Sequence, residues 1–194
     1  MADISNSPAA GAALDLEGEN ALLRASLADL QARYAELERR VETDTLTGLP
    51  SRSRFLGEVE RAVGKAQRHG TPSAVLFIDV NGLSRINEAQ GFLAGDAALV
   101  HVARQLSALI RATDAVARIG GDGFGLILDH LDHNSAIETA ERLGRCIAAA
   151  PAEIDGRKTA VTVSIGVTSI LPGDSVEDVM RRGARNVGLA REEG

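Results

Sequence analysis

The sequence predicts an α/β (α+β) domain in which helices flank a mixed central sheet, with a separate helix in front of the domain. Three observations support this fold class. Helical and strand patterns alternate after residue 50. Two short apolar runs meet at Gly120-Gly121, which predicts a hairpin and therefore antiparallel pairing inside the sheet. Leucines repeat every seven residues ahead of the domain, a pattern typical of a coiled coil.

The composition limits the class of protein. A chain of 194 residues with 44% hydrophobic residues suits one domain plus an extension. Only 3% of residues are aromatic and none is Trp, so the core must be aliphatic. The net charge of −6 argues against nucleic-acid binding. We expect a cytoplasmic protein without a membrane span, because Cys146 is the single cysteine and no long apolar run or signal segment is visible.

The region before the domain divides into two parts. Residues 1–12 are small and polar, which predicts a disordered tail. Residues 13–43 carry the heptads and predict a homodimer through a parallel coiled coil, although one amphipathic helix packed on its own domain remains the alternative. An asparagine at one a position favours two strands in register. The d positions are Leu16, Leu23, Leu30 and Leu37, and the a positions are Asn20, Leu27, Tyr34 and Val41.

The domain itself is predicted to span residues 44–194, beginning with a Gly- and Pro-containing break. Periodicity, glycines and prolines then place the elements along the chain. The helix after Gly91 is predicted to begin at Gly95-Asp96, where Asp96 is a credible N-cap. The predicted elements are a helix over 51–69, a strand over 73–78, helices over 83–90 and 95–110, the hairpin over 115–128, a helix over 135–150, a strand over 159–168 and a helix to about residue 191.

Two carboxylates, those of Asp79 and Asp122, lie at positions in the sequence that suggest a functional site. Asp79 follows a buried strand, where a charge is costly unless it is paired or bound to a cation. Asp122 follows the glycine pair, whose backbone N–H groups are unobstructed, so its carboxylate could approach a metal-bound phosphate. Glycine turns are common, and an ordinary hairpin is the alternative reading of this turn taken by itself.

Several motifs occur in one order along the chain and together resemble the GGDEF domain of diguanylate cyclases. The resemblance covers the chain from Asp44 to its end, and the order of the motifs is far more specific than any one of them. The motifs are Asp44-x-Leu46-Thr47-Gly48-Leu49, Phe77-Ile78-Asp79-Val80-Asn81, Ile86-Asn87-Glu88, Gly91-Phe92-x-x-Gly95-Asp96, Arg118-x-Gly120-Gly121-Asp122-Gly123-Phe124 and Val163-Ser164-Ile165-Gly166-Val167.

The resemblance implies a nucleotide-cyclase-like palm with a mostly antiparallel sheet, and a homodimer that condenses two GTP molecules into cyclic di-GMP with Mg²⁺. Metal ligands would be the carboxylates of Asp79 and Asp122 and the Val80 carbonyl, with Asp122 also a candidate catalytic base. The other implied roles are phosphate binding by Arg191, guanine recognition by Asn87 and Asp96, and nucleotide contact by Gly120 and Gly121.

A second implied site is the family's inhibitory RxxD site for cyclic di-GMP. Arg111 and Asp114 match the motif itself, and Arg118 lies between it and the glycine pair. Arginine suits phosphate and guanine acceptors, and aspartate suits the guanine N1–H and amino group. Taken alone, an RxxD tetrapeptide is more often a salt bridge at a helix end.

Departures from the family pattern change the expected function. Gly123 stands where the family has a metal-binding Glu, so one carboxylate is missing. We therefore expect a nucleotide-binding regulatory module, for cyclic di-GMP or GTP, with little cyclase activity. The alternatives are a weakly active cyclase and a coiled-coil scaffold that pairs with a signalling protein. The other departures are Asn81 for Asp, Ser84 for Lys, Phe92 for His, Ala184 for Asp and Gly188 for Tyr.

Overall fold

The computed structural model describes residue 18 and residues 20–31, 33–34 and 42–192. By contacts the chain divides into two units, residues 1–40 and 41–194. In the first unit residues 20–31 are helical, and Leu23, Leu27 and Leu30 on this helix are exposed. The predicted tail at residues 1–12 lies outside the described residues. Nowhere in the described ranges is a helix both long and apolar enough to cross a bilayer.

The second unit contains the domain, and its elements alternate as predicted. They are α1 (Arg52–His69), β1 (Ser73–Val80), α2 (Leu83–Gln90), α3 (Phe92–Leu109), β2 (Ala115–Gly120), β3 (Gly123–Asp129), α4 (His133–Ala149), β4 (Ala152–Ile154), β5 (Arg157–Thr159), β6 (Val163–Ser169) and α5 (Val176–Glu192).

The central sheet has four strands in the order β2-β3-β1-β6. Its three pairings, β2 with β3, β3 with β1 and β1 with β6, are all antiparallel. The predicted, mostly antiparallel sheet flanked by helices is therefore confirmed. β1 lies between two neighbours, and so its backbone donors and acceptors are satisfied on both sides.

The alternating side chains of β1 explain why helices cover both faces of the sheet. Ala74, Leu76 and Ile78 belong to one buried cluster, which also contains side chains of α2, α3 and α4. Val75 and Phe77 belong to the other cluster, with side chains of α1 and α5. Successive residues of a strand point to opposite faces, so a continuous apolar run such as β1 indicates burial on both.

Close packing positions α5 on the sheet. A Cβ atom added at Gly183 would lie 1.9 Å from Cε2 of Phe77, and one added at Gly166 would lie 2.3 Å from the backbone nitrogen of Val187. Side chains at either glycine would therefore push α5 away from β1 and β6. The far end of this helix carries Arg191 and is held beside the end of β1 by this packing.

Two element starts and one hairpin differ most from the predictions. α3 begins at Phe92, so Asp96 lies inside the helix and is not its N-cap. The predicted strand over 159–168 is observed as β6, Val163–Ser169. The residues before it form the short β4–β5 hairpin, which was not predicted. The Asp155-Gly156 dipeptide is a hairpin signal, and both residues have positive φ, 49° and 72°.

Candidate functional site

The two candidate metal carboxylates are brought together by the end of β1 and the β2–β3 hairpin. Asp79 lies opposite Gly123 of β3 and opposite Ser164 of β6. The next residue, Val80, donates its backbone N–H to the backbone carbonyl of Asp122 at 3.0 Å. This bond places Asp122 beside the strand end. Burial raises the pKa of Asp79, and the nearby negative charge of Asp122 raises that pKa further.

Arg191, from the last turn of α5, lies at the same place. Its Nη1 atom is 3.8 Å from Oδ2 of Asp122. Its positive charge also lowers the pKa of Asp79 and so offsets part of the increase caused by burial and by Asp122. Both partners keep contact with water, since the Arg191 side chain is 53% exposed and the Asp122 side chain is 37% exposed.

Gly123 leaves a gap in this group of polar side chains. A Cβ atom at this position would lie 3.3 Å from Oδ1 of Asp79, so a longer side chain would leave the backbone beside that carboxylate. A glutamate here would add an acidic group to the pair, and glycine adds none. Position 123 is therefore part of the site by geometry but contributes no side-chain ligand.

Asn81, the other departure at the strand end, is held in a local hydrogen-bond network. Its Oδ1 accepts a hydrogen bond from the Ser164 hydroxyl at 2.9 Å. Its Nδ2 donates to Oγ1 of Thr162 at 3.3 Å, and its backbone N–H donates to the Thr162 carbonyl. These bonds fix β1 to the start of β6 and occupy the oxygen that an Asp at this position would offer to a cation.

The fit of this site to the family's divalent cations can be judged from its donors. Hard cations require several oxygen ligands, and carboxylates supply most of them. Across residues 42–192 and the described part of the N-terminal helix, no three acidic, His or Cys side chains form a group suited to a metal ion. Two carboxylates and the Val80 carbonyl, with an arginine beside one carboxylate, do not fit a site for two metal ions.

The predicted guanine-binding pair lies on the connected helices α2 and α3. Asn87, in the last turn of α2, packs against Gly95 so closely that a Cβ atom there would be 1.9 Å from Oδ1 of Asn87. This Oδ1 atom is buried and has no hydrogen-bond partner. Asp96, the residue after Gly95, is half-buried. A buried acceptor without a donor is costly, and a ligand carrying N–H groups would satisfy it.

Arg118 of β2 connects the turn of the hairpin to the start of the domain. Its guanidinium donates to both carboxylate oxygens of Asp44, at 3.2 and 3.3 Å, and to the Gly121 carbonyl at 2.8 Å. Burial alone would raise the pKa of Asp44, but hydrogen bonds from Thr47 and the charge of Arg118 outweigh burial and lower it. Arg118 therefore holds the conformation of the Gly120-Gly121 turn.

The predicted RxxD site opens onto a groove at the C-terminal end of α3. The Arg111–Asp114 turn is closed locally, because the Arg111 backbone N–H donates to Oδ2 of Asp114 at 3.0 Å. The Arg111 side chain is exposed and lines a groove of about 520 Å³. Arg142 and Arg145 of α4 line the same groove. The arginine spacing on the exposed face of α4 is a signal for this surface that the sequence analysis did not use.

In the structure, the predicted site residues therefore lie at three separate locations. The end of β1 gathers the acidic pair and Arg191, and the α2–α3 connection carries the Asn87 and Asp96 side chains. The RxxD turn lies at the groove beside α4, and Arg118 points to Asp44. Arg142 and Arg145 are additional candidate binding residues.

Comparisons with known proteins concern the family and the fold. Residues 41–194 match the family model described as "Diguanylate cyclase, GGDEF domain". The chain is 35% identical over 159 residues to the bifunctional diguanylate cyclase/cyclic di-GMP phosphodiesterase MucR of Pseudomonas aeruginosa, covering 82% of this chain and 22% of MucR. It is 31% identical over 169 residues to the diguanylate cyclase DgcP of the same organism, covering 86% of this chain and 25% of DgcP. The chain thus spans only about a quarter of these relatives.

Solved structures share the fold. A sensory box/GGDEF family protein from Caulobacter crescentus superposes with a TM-score of 0.74 at 34% identity, covering 79% of this chain and all of that one (100%). The coiled coil and GGDEF domain of DgcB from the same organism has a TM-score of 0.74 at 25% identity, covering 92% of this chain and 95% of that one. The chain belongs to the GGDEF domain family and carries the fold of the diguanylate cyclases.

Proposed function

We propose that this chain is a regulatory module of cyclic di-GMP signalling that binds cyclic di-GMP at the groove beside Arg111 and Asp114. The observation that carries the proposal is the groove itself, where three arginines from two helix regions converge on one concave surface. Arg142 and Arg145 join Arg111 there. Arginine binds phosphate in a two-pronged geometry and also stacks on bases, so this set suits a dianionic dinucleotide.

The chemistry of Asp114 supports a guanine ligand. Its carboxylate already accepts the Arg111 backbone N–H, and it lines a smaller pocket that shares Arg111 and Arg142 with the groove. Oδ1 and the remaining lone pair of Oδ2 can accept hydrogen bonds from the N1–H and the amino group of guanine. The related DgcB coiled coil and GGDEF domain was solved in complex with c-di-GMP. Arg118 was predicted for this site as well, but because its guanidinium contacts Asp44 and the Gly121 carbonyl, we propose that it holds the hairpin turn and does not contribute to ligand affinity.

Calorimetric titration of the full chain with cyclic di-GMP tests the proposal. Arg111→Ala should weaken binding by about tenfold or more, because it removes a charge-assisted phosphate contact. Arg104→Ala is the matched control, since Arg104 is an exposed arginine of α3, the helix that precedes Arg111, and lies outside the groove. Absence of heat with the unaltered chain, or equal losses in the two variants, would contradict cyclic di-GMP binding at this groove.

A second candidate function is binding of GTP at the pocket inherited from the cyclases. The buried, unpaired Oδ1 of Asn87 favours it, with Asp96 beside it. The proposed contacts are Asn87 and Asp96 to guanine, and Gly120, Gly121 and Arg191 to the phosphates. Any Mg²⁺ would arrive with the nucleotide and meet Asp79, Asp122 and the Val80 carbonyl. Asp96→Ala should abolish GTP binding and leave cyclic di-GMP binding at the groove unchanged.

We propose that cyclase activity is weak or absent, because Gly123 and Asn81 stand where the family has acidic residues, so the site lacks two carboxylates. The alternative is a weakly active diguanylate cyclase. Chromatographic detection of cyclic di-GMP after incubation with GTP and Mg²⁺ separates the two. Product that disappears in the Asp122→Ala variant would establish the alternative, and no product at high protein concentration would exclude it.

We also propose that the chain forms a homodimer through residues 13–43. Exposed leucines at heptad positions on the N-terminal helix, including Leu23, Leu27 and Leu30, motivate this proposal. A coiled-coil scaffold that pairs with a signalling partner is the remaining alternative. Sedimentation of the full chain and of a version lacking residues 1–40 should give a dimer and a monomer respectively. A monomeric full chain would favour a heteromeric partner.

A further inference from the structure

We propose that Arg191 is the resident counter-ion of the Asp79–Asp122 pair and holds the affinity of this pocket for divalent cations low. The contact that carries the proposal joins Nη1 of Arg191 to Oδ2 of Asp122 at 3.8 Å. A guanidinium group cannot be a metal ligand, but its positive charge competes with a cation for the same carboxylates. The chain itself therefore supplies a positive charge beside the acidic pair.

The first step of the argument concerns charge. Asp79 and Asp122 place two carboxylates at the end of β1, and the partly buried Asp79 is sensitive to its surroundings. Two like charges at one site repel each other unless a positive group balances them. Asp79 lies opposite Gly123, the residue after Asp122, so the guanidinium that contacts Asp122 lies near both carboxylates.

The second step concerns ligands. A side chain at position 123 would emerge 3.3 Å from Oδ1 of Asp79, so an acidic residue there would increase both the negative charge and the number of oxygens. Gly123 supplies neither, and Asn81 directs its oxygen to Ser164. With two carboxylates, a divalent cation would have to displace Arg191 while gaining few ligands. One arginine balances half of the negative charge of the two carboxylates that remain.

The third step concerns rigidity. Arg191 belongs to the last turn of α5, and α5 lies against the sheet through the close contacts at Gly166 and Gly183. The guanidinium is therefore delivered to the acidic pair by a packed helix, and less conformational entropy is lost when the ion pair forms. This inference concerns the chain without nucleotide and does not depend on cyclic di-GMP binding at the groove.

The test is a Mn²⁺ titration of the full chain, with free Mn²⁺ measured by electron paramagnetic resonance. Arg191→Gln should bind Mn²⁺ at least about tenfold more tightly than the unaltered chain, because a repelling charge near the ligands is lost. Arg191→Lys keeps the charge and should match the unaltered chain. Asp122→Asn combined with Arg191→Gln should lose the gain, because the affected carboxylate is then absent.

Arg185→Gln is the control for net charge, because Arg185 is an exposed arginine of the same helix α5. It should leave Mn²⁺ affinity within about twofold of the unaltered chain if long-range charge is screened by salt. The inference is overturned if Arg191→Gln binds Mn²⁺ no better than the unaltered chain. It is equally overturned if Arg185→Gln gives the same gain. Circular dichroism of each variant verifies that helix and strand content is retained.

Discussion

Comparison of Arg118→Ala with Arg111→Ala should distinguish an arginine that stabilises the domain from one that binds cyclic di-GMP. In the sequence Arg118 stands close to the RxxD motif, yet in the structure its guanidinium contacts Asp44 and the Gly121 carbonyl. We therefore expect its loss to reduce the stability of the domain and to leave cyclic di-GMP affinity within about threefold of the unaltered chain. Arg111→Ala should do the reverse.

The magnitude follows from the contacts. The Arg118 side chain is 15% exposed and that of Asp44 is 23% exposed, so the ion pair is largely shielded from water. Breaking a buried pair from one side commonly costs about 3–5 kcal/mol of unfolding free energy. Here Asp44 keeps two hydrogen bonds from Thr47, at 2.8 and 2.7 Å, and the pair retains some solvent. We expect a loss of about 2 kcal/mol.

Urea unfolding of the full chain, followed by circular dichroism, measures this loss. A double-mutant cycle with Asp44→Ala should give a coupling energy of about 1 kcal/mol between the two residues. Calorimetry with cyclic di-GMP on the same samples supplies the second readout. The reasoning is refuted if Arg118→Ala unfolds at the urea concentration of the unaltered chain, or if it loses ligand binding while Arg111→Ala does not.

Three further predictions concern stability and assembly. Hydrogen bonds from Arg182 lower the pKa of Asp174 below 3.8, so their stabilisation is present above that pH and is lost as pH falls through the lowered pKa. Asp174→Asn should therefore destabilise the domain by about 1 kcal/mol at neutral pH and much less once the pH has fallen below the lowered pKa, measured by urea unfolding across pH. Gly183→Ala would place Cβ 1.9 Å from an aromatic ring of β1 and should cost about 2–3 kcal/mol, whereas Gly188→Ala on the same helix meets nothing within 4 Å and should be neutral or stabilising. Leu30→Lys should convert a sedimenting dimer into a monomer, and an unchanged sedimentation coefficient would contradict the proposed coiled coil.

Much of the fold could be predicted because its signals are local. The apolar run of β1 predicted the central strand, and the glycine pair before Asp122 predicted the β2–β3 hairpin. The predicted start of α3 was wrong because Gly91, with φ of 87°, is both the C-cap of α2 and the N-cap of α3, and only the backbone reveals this. The β4–β5 hairpin was missed because its strands are three residues each, too short for a visible alternation.

The candidate site was predictable in its residues and less so in its contacts. Strand-end position identified Asp79, and the hairpin identified Asp122. Nothing in the spacing indicated that Arg118 would turn to Asp44, since the two residues are 74 positions apart. Contacts at such separation depend on how elements pack, as does the convergence of Arg142 with Arg111 at one groove.

The two-sided burial of β1 has a consequence for redesign of this domain. The apolar side chains of β1 that form the core run from Ala74 to Val80, whereas Asp79 belongs to neither apolar cluster. Folding and chemistry thus draw on separate sets of residues. Substitutions beside the Asp79–Asp122 pair, such as Gly123→Glu together with Asn81→Asp, should therefore add acidic groups with little effect on the apolar core. The domain is in this sense a scaffold on which a reaction centre can be dismantled or rebuilt while the architecture stays the same.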